Sequence, residues 1–223
     1  MIQTYKPTAS LAGSERTRAN YYQAIKTFFI SNEYIGKYLE LESATDDKYT
    51  FTLKTKSSLG LSQSIIYNVS GNYHIWRSPN SSTGNNISYN VGKDTVFTII
   101  DLPDHILVLQ DNSFAFSVVK TTSFDGKRSD FALIIPNSAN GVQAYKSAET
   151  TYCMYINGSL MTECTGYSNT YVLEKLFLST SDLICNSVYI ARGGISIPPS
   201  GMSTIGGRRF YRLFSTNIMF LVE

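Results

Sequence analysis

The chain has 223 residues, 43% of them hydrophobic, which excludes a disordered protein and allows one large β domain or two small ones. A net charge of +2 gives no reason to expect nucleic-acid binding, and a charged fraction of 16% falls well below the roughly 25% of ordinary soluble domains. Ser, Thr and Asn supply the polar surface instead, beside 16 Tyr, 12 Phe and a single Trp, a mixture suited to pleated strands or to surfaces covered by other subunits.

Residues 1–13 read as an extended arm, because Lys6-Pro7 discourages helix before it. The arm has no apolar core of a secretory signal, and no run in the chain approaches the ~18 apolar residues of a membrane span. From Ser14, a good cap residue, "SERTRANYYQAIKTFFIS" sets Tyr21, Tyr22, Ile25, Phe28 and Phe29 at spacings of three and four. That spacing predicts one helix over about 14–31, with Gly36 as a candidate end.

Beyond Gly36 the period changes to two. "KYLELES" and "KYTFTLKTK" read as strands joined through "SATDD"; in the second, Tyr49, Phe51 and Leu53 share a face. "SIIYNVSGNYHIWR" gives two strands around Gly71-Asn72, and "SPNSSTGNN" a loop. "TVFTIIDL" and "HILVLQ" are apolar enough for buried strands, separated by Pro103-Asp104. Around Asp125-Gly126 "FAFSVVKTT" and "DFALIIP" read as a hairpin, and Asn157-Gly158 marks a second one within "CMYINGSLMTEC". "TYVLEKLFL" fits strand or a short helical turn and leans to strand. "SVYIA" is a strand, and "RGGISIPPSGMSTIGG" is irregular. The end of the chain reads as strand, a turn at Ser215–Asn217, and strand. Turn signals this regular predict a mainly β fold, an antiparallel sandwich or barrel-like domain over 14–223 with one N-terminal helix. A division near "PNSANG", around residue 140, is the alternative.

Candidate chemistry is sparse. Three cysteines, Cys153, Cys164 and Cys185, make no disulfide framework; buried thiols are the default, with a Cys153–Cys164 bridge as the alternative. His74 sits in a strand pattern, where a sheet-face role outweighs catalysis. Asp101, Asp104 and His105 form the best acid/base or metal cluster, yet "DLPDH" is also what a turn between strands looks like. No phosphate loop, dinucleotide fingerprint or nucleophile elbow occurs. No catalytic residue, metal ligand or cofactor is therefore assigned. Tyr73 and Trp76 could stack on a sugar, although Trp76 as an anchor of its strand is the stronger reading. Arg208, Arg209 and Arg212 form the one basic cluster, with Arg208 and Arg212 on one face of a strand and Arg209 on the other; with Phe220 they are the candidate assembly interface.

The terminal "IGGRRFYRLFSTNIMFLVE" leads from Ile-Gly-Gly into aromatic strands, and its "IMFLV" suggests burial on both faces. With the N-terminal arm and the low-charge Thr/Ser/Asn/Tyr-rich strands, it resembles structural proteins of tailed-bacteriophage virions, of the tail, neck or baseplate type. The resemblance implies a non-enzymatic β subunit that assembles with copies of itself and with other virion proteins. It implies production in a host cytoplasm, with no membrane and no direct nucleic-acid contact. The arm would then add a strand to a neighbouring subunit.

Overall fold

A computed structural model describes residues 1–77, 84–137, 141–145, 163–167, 172–178, 183–192, 201–213 and 218–223. The elements in chain order are β1 (Ile2–Tyr5), α1 (Arg18–Ser31), β2 (Leu39–Thr45), β3 (Thr50–Thr55), β4 (Ser64–Ser70), β5 (Tyr73–Arg77), β6 (Gly84–Ser88), β7 (Phe97–Leu102), β8 (His105–Gln110), β9 (Ser113–Ser123), β10 (Ser129–Asn137), β11 (Gly141–Tyr145), β12 (Glu163–Tyr167), β13 (Val172–Leu178), β14 (Leu183–Arg192), β15 (Gly201–Ile205), β16 (Arg208–Arg212) and β17 (Ile218–Leu221). The protein is mainly β, with antiparallel sheets curled into a sandwich-like arrangement and one α-helix.

Two sheets form. β2 to β6 make an antiparallel meander in which each strand pairs with its sequence neighbour. The larger sheet runs β1-β7-β8-β9-β14-β17-β16-β15, with β10 on the other edge of β9 and β13 on the other edge of β14. β9 reaches both parts because it is long. Its first residues pair with β8, and Thr121–Ser123 continue along the same edge to β14. Strands on both sides of residue 140 thus share β9.

The helix starts later than its sequence suggests. A 3-10 turn occupies Gly13–Glu15, and Thr17, not Ser14, caps α1, its hydroxyl accepting from the Asn20 N–H at 3.2 Å. The helix ends at Ser31, and Gly36 lies in a separate 3-10 turn. Its apolar stripe is the predicted one: Tyr21, Tyr22, Ile25, Phe28 and Phe29 are all buried. Phe29 lies among Phe51, Trp76 and Phe97, with ring centroids 5.8, 5.3 and 5.2 Å away. One side chain of the helix thereby joins the meander to the larger sheet.

β7 to β10 form the middle layer. Phe97, Ile99, Ile106, Val108, Val118, Leu133 and Ile135 face α1 and the meander in the first core. Ile100, Leu107, Leu109, Val119, Ala132 and Ile134 face the opposite way, into a second core closed by Val188, Tyr211, Ile218, Phe220 and Val222. β8 is consequently buried at every position, as a continuous apolar run requires when both sheet faces are covered.

The N-terminal arm folds back on its own chain. Ile2–Tyr5 pair with Phe97–Ile100, the Met1 ammonium donates to the Asp101 carbonyl at 2.7 Å, and the Asp101 N–H returns a bond to Met1. In the single chain the strand it adds belongs to its own sheet, where the expectation had it joining a neighbour's. Within "TYVLEKLFL", Val172–Leu178 form strand β13, and Gly201–Ile205, expected as part of an irregular stretch, form strand β15. The Asn157-Gly158 hairpin, the turn at Ser215–Asn217 and the Cys153–Cys164 question lie outside the described residues and side chains. Cys185 is buried in the second core.

Candidate assembly surface

The C-terminal strands carry the sequence-predicted arginines on a layer with two unlike faces. β17 runs between β14 and β16, with Tyr189 opposite Met219 and Phe210 opposite Leu221. Alternation sends Ile218 and Phe220 inward to the second core. Met219 and Leu221 turn outward with Tyr189, Phe210 and Ile205, forming a third, smaller cluster on the outer face. The Tyr189 and Phe210 rings meet edge to face, 5.4 Å between centroids. Arg208 and Arg212 lie two residues either side of Phe210 on that same face.

Arg208 is exposed at the rim of a groove of about 730 Å³ that also takes in Lys175, Tyr189, Leu221, Asp104 and Glu223. Two cations and the Asp104 carboxylate thus border one concavity that is also lined by the Tyr189 ring and the Leu221 side chain, while the Glu223 side chain is engaged by Arg209. Burial raises the pKa of the Tyr189 phenol, against the opposing pull of the Arg208 guanidinium, which keeps the hydroxyl a neutral donor at ordinary pH. Arg209, on the other face as its strand position predicts, donates to the Glu223 carboxylate at 3.0 Å. The two are about half exposed, so the pair contributes little to stability. Arg212 is partly buried.

Phe220 does not belong to this surface. It is fully buried, 5.2 Å from the Phe114 ring and 6.4 Å from His105, so its place is in the second core and not at an interface. The sugar-stacking pair also separates. Tyr73 is half exposed, whereas Trp76 points to the other face of β5, fully buried against Tyr67 at 4.5 Å and Phe29. Period-two alternation makes this unavoidable, because residues 73 and 76 are an odd number of positions apart. Trp76 is a strand anchor with no face to offer a ligand.

The acid/base cluster does not assemble either. Asp101 is held by Lys37 at 2.6 Å on the helix side of the middle layer. His105 turns to the second core, fully buried, and Asp104 lies at the groove. Burial lowers the His105 pKa to about 4, although Asp104 and the Leu221 carbonyl pull the other way. His74 is likewise buried, stacked on Tyr89 with centroids 4.7 Å apart and its Nδ1 in contact with the Gln110 amide; burial lowers its pKa to about 3. Among the described residues no three His, Cys, Asp or Glu side chains gather as a metal set, and no helix is long and apolar enough to cross a membrane.

Sequence reasoning named Arg208 as an interface residue; it missed Tyr189, Lys175 and Glu223 and had Asp104 only as a member of an acid/base cluster. These come from four separate strands or turns, and only the pairing of β14 with β13 and β17 brings them to one groove. The one local signal was Tyr189 in "SVYIA", an aromatic where a wholly interior strand would carry an aliphatic residue. Compared with protein-family models, with curated proteins and with solved structures, the chain matches none.

Proposed function

We propose that the chain is a non-enzymatic structural subunit that works through subunit–subunit assembly, of the tail, neck or baseplate type found in tailed-bacteriophage virions. The observation that carries this reading is the outer face of the C-terminal layer. It brings exposed Arg208 and Phe124 together with Lys175, Asp104 and partly exposed Leu221 at one mixed-charge groove, above a buried layer of Tyr189, Phe210 and Met219. Arg and aromatic residues are among the types enriched where protein surfaces meet. The Asp104 carboxylate gives a neighbour's cations a place to pair, as Arg208 and Lys175 do for its anions. The phage setting rests on the resemblance of the terminal segment. The withdrawal of both histidines into cores supports a role without catalysis. Partners are copies of the chain and other virion proteins, and the place of action is the particle.

Light scattering across a range of concentrations tests the reading. The wild-type protein is expected as a closed oligomer. Arg208→Glu is expected to lower the mass at least twofold with only a small fall in the thermal midpoint, because the side chain is exposed and gives up only its bond to the Tyr189 hydroxyl. A wild-type protein that stays monomeric at high concentration rejects the proposal. An Arg208→Glu variant of unchanged mass rejects this face as the interface.

A further inference from the structure

The edge of the larger sheet beyond β16 is β15, and its register fixes which backbone groups it leaves over. β15 and β16 pair from Gly201–Arg212 to Ile205–Arg208, joined by the two-residue turn Gly206-Gly207. In such a hairpin the pair flanking the turn exchanges hydrogen bonds, and alternate pairs do so thereafter. Ile205, Ser203 and Gly201 therefore bond to β16. The Arg209 N–H and carbonyl both turn to the residues just past β17, bonding the Glu223 carbonyl and the Val222 N–H, which confirms that Arg209 makes no bond to Thr204. The N–H and carbonyl of Met202 and of Thr204 consequently point out of the sheet, with no partner among the described residues.

The edges at β2, β1 and β6 are blunted or covered where this one is not. β2 carries Glu40 and Glu42 and a bulge between Leu41 and Ser43. β1 has only four residues, with the Met1 ammonium at one end and Lys6 at the other. β6 lies close to β10. β15 has no charge, no proline and an unbroken register, and Met202 on it is 42% exposed. Native sheets place charges, prolines or bulges on edges that must not pair.

We infer that β15 is a self-pairing edge at which two copies of the chain join antiparallel about a two-fold axis at Ser203. Met202 exchanges both backbone bonds with the partner's Thr204, and Thr204 with the partner's Met202, so all four outward groups are satisfied at once. Met202 lies beside the partner's Thr204 on one face, and the two copies of Ser203 meet on the other. Gly201 stands opposite the partner's Ile205. No charge of β15 meets its like, and the contact is isologous, closing on itself as a dimer. Arg208 and its groove stay open beside the joint, so the edge and the groove can act in one assembly. The inference rests on the assembly reading above and names the second copy of this chain as one of its partners.

Residues facing each other across a two-fold in a non-hydrogen-bonded pair have Cα atoms about 4.5 Å apart, within the range a disulfide spans. Ser203→Cys is therefore expected to give a covalent dimer on a non-reducing gel after an added oxidant. Wild-type protein and Met202→Cys, whose residue faces position 204 and not itself, are expected to give none. Thr204→Pro removes an N–H that β16 does not use and is expected to reduce the mass seen by light scattering at least twofold with the circular dichroism unchanged. An oligomeric wild type whose Ser203→Cys variant does not cross-link overturns the edge pairing and leaves the assembly reading standing. A monomeric wild type overturns both.

Discussion

His74 and His105 show what burial does to a titrating side chain when no acid compensates. In the unfolded chain each imidazole gains its proton near pH 6.5; in the folded protein His105 does so only near 4 and His74 only near 3. Between those values the unfolded chain binds more protons, so stability falls as the pH drops below about 6.5, by about 1.4 kcal/mol per pH unit for each histidine. Above that range neither contributes. Urea unfolding across pH 4–7 is expected to show this slope, and His105→Leu to remove one proton's share of it; an unchanged slope contradicts the burial. Phe29 tests the apolar side of the same principle. Phe29→Ala opens the junction between helix, meander and middle layer and is expected to cost about 3–5 kcal/mol in denaturant unfolding, as large-to-small changes at buried aromatics do. Phe220→Ala is expected to fall in the same range in the second core, where an interface residue would change oligomer mass and spare the fold.

At the scale of elements, β1 and the β15–β16 turn make separate claims. Deleting residues 1–5 removes a strand paired with β7 and is expected to lower the thermal midpoint with the oligomer mass unchanged; a lowered mass at constant midpoint would restore the arm to a neighbouring subunit. Gly206 and Gly207 both have positive φ, 55° and 78°, with open space where a Cβ would stand. Gly206→Asn is expected to be tolerated and Gly206→Val to cost about 1–2 kcal/mol, because only the backbone conformation resists the branched side chain. Most elements were legible in the sequence because neighbouring residues specify them. The alternation of Phe51 and Leu53, the turns at Gly71-Asn72 and Asp125-Gly126, and the run "HILVLQ" each carry their own signal. The helix start was misread because Ser14 and Thr17 are both good caps, and only packing of the first turn chooses between them. The groove was not legible at all, since Lys175, Tyr189 and Arg208 become neighbours only through strand order.

For the whole molecule, three layers share two interiors, and the middle layer depends on both. Removing residues 201–223 would strip Tyr211, Phe220 and Val222 from the second core and leave Ile100, Leu107 and Ile134 facing water. That truncation is expected to bind a hydrophobic dye strongly and to lose its near-ultraviolet dichroism, while keeping much of its strand signal. The pairings that build these layers also differ in how far they reach. The meander joins only neighbours, whereas Ile2 pairs with Ile100 and Thr122 with Ile184. Loop closure must be met before such distant contacts reward it, and folds dominated by them form in milliseconds to seconds, not microseconds. The larger sheet thus imposes a timetable on the chain. Hairpins close early and locally, β1 and β14 dock late, and until they do, a wide apolar surface waits uncovered. Slow synthesis at low temperature, which keeps incomplete chains scarce and weakens the hydrophobic attraction between them, is the condition under which this architecture should be recovered in best yield.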